Sequence, residues 1–219
     1  MPMVFAHGML DEPQVQLLDA RFSFKYVYIK EKAMDIKKHI VIAWDLTLKF
    51  IVPLILMTLV MLIVAVITLG ILAPVTLAGY MQSILLMIRE GREPKIQDLF
   101  SEMKLFLPLL IFGVLVTLAI FIGFMILFIP GLLITVAVAF SCLYVIPLMT
   151  DKRMGLIDAI KESYAMAVKN NISDHIVVAI LFYGISGIGG SIVLGFLFTQ
   201  PLATTFLMSV YDERKGQGQ

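Results

Sequence analysis

Charge is what this 219-residue chain has least of. Only 15% of its residues are Asp, Glu, Lys or Arg, against 60% that are hydrophobic, and the charged ones leave long stretches empty. A net charge of +1 offers no basic excess, so nothing points to nucleic acid as a partner. The single cysteine, Cys142, falls inside an uncharged stretch, which excludes an intrachain disulfide and a cysteine metal cluster. Histidine is scarce too: His7, His39 and His175 show no i, i+4 pairing with another ligand, so a metal or haem site is not expected. Ser141 and Ser163 lack a nearby histidine with an orienting acid, and no glycine-rich phosphate loop occurs. The sequence thus predicts no enzyme, no catalytic residue and no cofactor. Its first ten residues have neither a basic n-region nor a long apolar core, so no signal peptide is expected. The 14 methionines are scattered and read as gap fillers between helices.

What is present is apolar length. Residues 105–149 form a run of 45 without Asp, Glu, Lys, Arg or His. A bilayer core needs roughly 20 apolar residues per helical crossing, so the run is long enough for two. Pro130-Gly131 supplies the break and places the expected turn at Ile129 to Gly131. Two further uncharged runs, 50–88 and 176–211, hold 39 and 36 residues. The first is interrupted by Gly70 and Pro74, giving expected spans at 50–69 and 73–88. The last contains Ser186-Gly187-Ile188-Gly189-Gly190-Ser191, giving 176–188 and 191–211. An alternative takes Gly187, Ser191 and Gly195 as a small-residue stripe on one continuous helix that breaks at Gln200-Pro201. The expectation is an all-α, polytopic membrane protein with six transmembrane helices arranged as three hairpins.

Each hairpin follows a polar segment with helical periodicity. Residues 31–49 carry Met34, Ile36, Ile40, Ala43, Trp44 and Leu48 near helical spacing, which predicts an amphipathic interfacial helix with Trp44 at headgroup depth. The connection 89–104 has an apolar stripe of Ile96, Leu99, Phe100 and Met103. In 150–174, Leu156, Ile157, Ile160, Tyr164 and Val168 share a face. Further upstream, acidic residues and Pro13 suggest a short helix over 11–20. The alternation of Phe22, Phe24, Tyr26 and Tyr28 reads equally as a strand or as an ordered coil. The chain therefore divides into an N-terminal segment (1–48), a six-helix membrane domain (49–215) and a short tail (216–219).

The charges set an expected orientation. All 17 Lys and Arg lie before residue 50, in 89–104, in 152–169 and in 214–215, while the three hairpin turns have none. By the positive-inside rule both termini and both long connections face the cytoplasm. Arg92, Arg153 and Arg214 recur 61 residues apart, which suggests three copies of one unit.

The stretch from Pro130-Gly131 through Leu143-Tyr144-Val145-Ile146-Pro147 and Asp151 to Gly155-Leu156-Ile157-Asp158-Ala159-Ile160-Lys161-Glu162-Ser163-Tyr164 resembles a group of prokaryotic six-helix membrane proteins. This group includes the YciC-like proteins and the membrane domain attached to some glycerophosphodiester phosphodiesterases. The resemblance covers the last third to half of the chain. It implies a prokaryotic inner-membrane location and the six-helix architecture, and no phosphodiesterase domain accompanies it here.

Two functions fit these features. One is a scaffold or accessory subunit of a membrane complex, joined to a protein partner or a second copy through its aromatic N-terminal segment. The alternative is a permease or lipid-handling protein for a neutral or lipidic substrate. Its candidate path residues are Gln82 and Gln200, the glutamines at membrane level. Lys37, Lys38, Lys152, Arg153, Lys161 and Lys169 form the expected basic layer for lipid headgroups.

Overall fold

A computed structural model describes residues 34–169, 172–190 and 193–217, and among these the chain is entirely helical, without strands. The expected short helix over 11–20 and the possible strand over 22–28 lie outside the described residues. Helices α1 (Ile36–Lys49), α2 (Ile51–Ile67) and α3 (Ala73–Glu90) come first. Two 3₁₀ turns, Ile96–Phe100 and Met103–Leu105, lead to α4 (Phe106–Ile126) and α5 (Phe128–Ser141). Then follow α6 (Val145–Asp151), α7 (Leu156–Lys169), α8 (Ile172–Gly190) and α9 (Val193–Gln217).

Among the described residues three segments are long and apolar enough to cross a membrane: Ile96–Ile126, Phe128–Asp151 and Ile172–Gly189. A fourth arises if α1 and α2, which meet at 87°, are taken together. At 17 residues α2 alone is about 26 Å long, a little short of the hydrocarbon core. The sharp bend agrees with a chain that lies along a surface and then turns in.

The turns differ in kind. After α2 the chain reverses through Leu69 (φ 51°) and Gly70 (φ 82°). Pro74 then sits in the first turn of α3, where its missing N–H costs little. The central turn is tighter than Pro130-Gly131 suggests, because the single extended residue Leu127 (φ −162°, ψ 151°) separates α4 from α5. Pro130 is thereby shifted into the first turn of α5. Gly131 instead permits close approach, since a Cβ there would strike the Phe124 ring and backbone. In the last run α8 is described to Gly190 and α9 from Val193, so Gly195 belongs to α9 and α9 continues through Pro201. The small-residue stripe is therefore not on one helix. Gly189 packs tightly on Thr199, and α8 and α9 run antiparallel.

The connection after α3 is not the α-helix expected there. Gly91 ends α3 in the left-handed conformation (φ 66°), with its N–H on the Met87 carbonyl. Asp98 then folds the chain back onto α3. Only Leu99 of the expected stripe turns inward; Ile96, Phe100 and Met103 stay exposed.

The core is centred on α3 and α9, with Tyr80, Ile84, Leu85, Met87, Phe206, Leu207 and Tyr211 fully buried, and α2 and α6 add Leu54, Met57 and Leu148. In α1 and α7 several large apolar residues point away from it, although Met166 is buried. α1 turns His39, Ala43 and Thr47 inward and leaves Ile40, Trp44 and Leu48 outside. α7 turns Ala159, Ser163 and Ala167 inward and exposes Ile157, Tyr164 and Val168. Between helices in lipid, small residues gain close contact, whereas bulky aliphatic ones lose nothing by facing acyl chains. Because α1 packs along α9, it belongs with the bundle rather than with the preceding segment. α4 carries this furthest, burying only Leu109 and Gly123.

Candidate functional site

The ends of α3, α6 and α9 meet in one ionic cluster. Arg89 closes α3, and its guanidinium donates to both Asp151 oxygens (2.6 and 3.1 Å) and, through Nε, to Asp212 Oδ1 (2.7 Å). Lys215 Nζ and the Tyr211 hydroxyl also donate to Asp151, at 2.7 and 3.0 Å. The cluster sums to zero charge and joins the C-terminal parts of α3, α6 and α9. Donating to Asp151 in particular holds the Arg89 guanidinium in its charged form.

Asp151 lies beyond the apolar run that ends at Met149, with its side chain 7% exposed. Burial raises its affinity for a proton, but the hydrogen bonds and charges of Arg89 and Lys215 outweigh this and hold its pKa at about 2. The folded-state value is thus below the ordinary 3.8, so the stabilisation is complete above about pH 5 and disappears as pH falls through 2. Acidifying from pH 7 to pH 2.5 is expected to remove about 2 kcal/mol through this group. Thermal unfolding across that range tests it, because Asp151→Asn should flatten the pH dependence; an unchanged acid limb would reject the assignment.

Beside this cluster α3 and residues 92–102 enclose a polar cavity of about 430 Å³. Gln82, Ser83, Leu86 and Glu90 line it from α3, Arg92, Asp98, Ser101 and Glu102 from the connection, and Arg153 from the α6–α7 turn. The floor is built around Asp98, which accepts from Ser83 Oγ (2.6 Å), Arg92 Nη2 (2.6 Å) and the Lys95 backbone N–H (3.1 Å). Gly79 makes this possible: a Cβ there would strike the carbonyl oxygens of Asp98 and Leu99. Across the cavity Arg153, at a positive φ of 54°, donates to the buried Glu102 carboxylate at 2.6 Å. Two buried polar atoms in the wall have no protein partner, Gln82 Oε1 and Arg92 Nε. A buried polar atom without a partner costs about 1–3 kcal/mol, a demand that a bound ligand or water meets.

The residues singled out from sequence fall into different surroundings. Gln82 and Arg153 line this cavity together. Gln200 is not part of it; its side-chain amide donates to Thr204 Oγ1, one turn along the same helix, at 3.3 Å. Lys38 pairs with Glu213 (3.1 Å) and Lys152 approaches Glu162 (3.8 Å). Lys37 and Lys161 are exposed, and the Lys169 side chain lies outside the described part. The arginines at 61-residue spacing do not share an environment. Arg92 binds Asp98 and Arg153 binds Glu102, whereas Arg214 is buried against the Met166 carbonyl (3.3 Å) and the Tyr144 ring. The groups that converge, Arg89, Asp151 and Asp212, were not singled out, although the last two lie within two residues of Arg153 and Arg214.

Both described histidines are buried in helix packing. His39 Nδ1 meets Ser209 Oγ (2.8 Å), while His175 Nε2 donates to the Phe140 carbonyl (2.8 Å) and its Nδ1 receives Arg214 Nη1 (3.4 Å). Ser163 joins the break between α5 and α6, donating to the Ser141 carbonyl (2.6 Å) and accepting the Tyr144 N–H (3.1 Å). Among the described residues no group of three or more His, Cys, Asp or Glu side chains is placed to hold a metal ion.

No family model matches this chain, and no curated protein or solved structure matches it either.

Proposed function

We propose that this is a multi-pass protein of a prokaryotic cytoplasmic membrane, with six crossings and both termini inside, that handles lipid without catalysing a reaction. Of the two functions that the sequence suggests, lipid handling has the stronger support. The observation that carries it is the cavity of about 430 Å³ that brings Gln82 and Arg153 together beside the ionic cluster. Charged side chains gather where an anionic surface attracts them, so a polar cavity in this layer is level with phospholipid head groups. The resemblance to YciC-like proteins belongs to this reading.

Ser101 lines the cavity and is solvent-exposed, so Ser101→Trp fills the space without disturbing the core. Native mass spectrometry of the purified protein should show retained phospholipid reduced by about tenfold or more, the equivalent of one charge-assisted hydrogen bond. Equal retention by the variant would reject the reading. The scaffold role keeps one support: α4 buries only two residues, Leu109 and Gly123, leaving most of its surface to lipid or to a protein partner.

Orientation is tested separately. With Cys142 replaced by serine, single cysteines at Leu69 (90% exposed) and Leu127 (66% exposed) should both react with a membrane-impermeant maleimide from the periplasmic side. Labelling of either from the cytoplasmic side alone would overturn the six-crossing arrangement.

A further inference from the structure

We propose that the cavity between α3 and residues 92–102 binds the head group of an amine-bearing phospholipid, an ammonium joined to a phosphodiester. The inference rests on the lipid-handling reading and names its ligand class. It follows from which polar groups in the wall are already satisfied. Asp98 is saturated by Ser83, Arg92 and the Lys95 N–H, and Glu102 is neutralised by Arg153. Two acceptors remain: the buried Gln82 Oε1 and the Glu90 carboxylate, which makes no ion pair among the described residues. Two donors remain as well. Arg92 Nε is buried without a partner, and Arg153 engages Glu102 through Nη1 alone.

A ligand that answers both sets must carry N–H donors and anionic oxygens. A purely anionic head group would face Glu90 and leave Gln82 Oε1 unmet, while a simple cation would leave Arg92 Nε and the remaining Arg153 N–H groups without an acceptor. A primary ammonium offers three N–H donors, whereas a quaternary one offers none. The lipid source follows from the connection that supplies part of the wall, where Ile96, Phe100 and Met103, each within two residues of a lining residue, are exposed apolar side chains about which acyl chains can lie. A volume of about 430 Å³ falls within the usual range for small-ligand sites.

The full-length protein in nonionic detergent is titrated with phosphatidylethanolamine, phosphatidylcholine, phosphatidylglycerol and glycerophosphoethanolamine, and binding is read by native mass spectrometry. The ethanolamine lipid should bind at least about tenfold more tightly than the choline and glycerol lipids, the value of one hydrogen bond to a charged group. Gln82→Leu and Glu90→Gln should each erase most of that preference. Glu90 ends α3 in an exposed position, so its variant retains the fold. Equal or tighter binding of the glycerol lipid would overturn the ammonium assignment; if Ser101→Trp still weakened that binding, the lipid-handling reading would survive. Indifference of all three lipids to Ser101→Trp would overturn both. Glycerophosphoethanolamine binding as tightly as the intact lipid would overturn the lipid source.

Discussion

Arg89→Ala should be the most damaging single side-chain deletion in the ionic cluster, lowering stability by about 2–3 kcal/mol. Its guanidinium makes three short hydrogen bonds to two carboxylates on different helices. Removing it leaves Asp151, only 7% exposed, with Lys215 and Tyr211 as its remaining partners, and leaves Asp212 without its cation. Arg89 itself is 28% exposed, so the loss should stop short of the 3–5 kcal/mol typical of a fully buried pair. Arg89→Lys should recover only part, because an ammonium cannot reproduce the two-pronged contact. The double variant Arg89→Ala with Asp151→Asn should lose less than the sum of the single variants. Chemical unfolding in detergent measures each term. A loss below about 0.5 kcal/mol would mean that the cluster behaves like an ordinary surface pair.

Gly79→Ala should be comparably severe although it adds a single methyl group. The new Cβ would meet the carbonyl oxygens of Asp98 and Leu99, which are backbone atoms and cannot rotate away. The connection must then lift from α3, at an expected cost of about 2–3 kcal/mol. Since the same segment holds Asp98 against Ser83 and Arg92, the cavity should lose its floor along with the stability. Gly113→Ala is the matched control, because the nearest atom to a Cβ there is a Pro74 ring carbon at 3.9 Å. Thermal unfolding of the two alanine variants side by side decides the point, and equal melting temperatures would contradict the tight contact at Gly79.

The sequence read faces less well than it read lengths, for a physical reason visible in α1 and α7. Periodicity locates an apolar stripe but does not say what lies against it. In water the stripe of Ile40, Trp44 and Leu48 would be the packed face; here it is exposed and the His39-Ala43-Thr47 row is packed. Turns show a related limit. Pro130-Gly131 correctly marks a break, yet proline is tolerated in a first helical turn, so the break can precede it, as it does at Leu127. At 89–104 a helical spacing of apolar residues was overridden by Asp98, whose carboxylate binds Ser83 and Arg92 and closes short 3₁₀ turns.

By itself the sequence determined the helical class, the membrane character and where charge is permitted, because these follow from the length of uncharged runs and the cost of placing ions in hydrocarbon. Only the tertiary structure decided which charges meet. Arg89, Asp151 and Asp212 are separated by about sixty residues at each step, and Gln82 and Arg153 come from α3 and the α6–α7 turn. No local pattern encodes such pairings; they arise when helix ends are brought to one level and low-dielectric surroundings make an unpartnered charge costly.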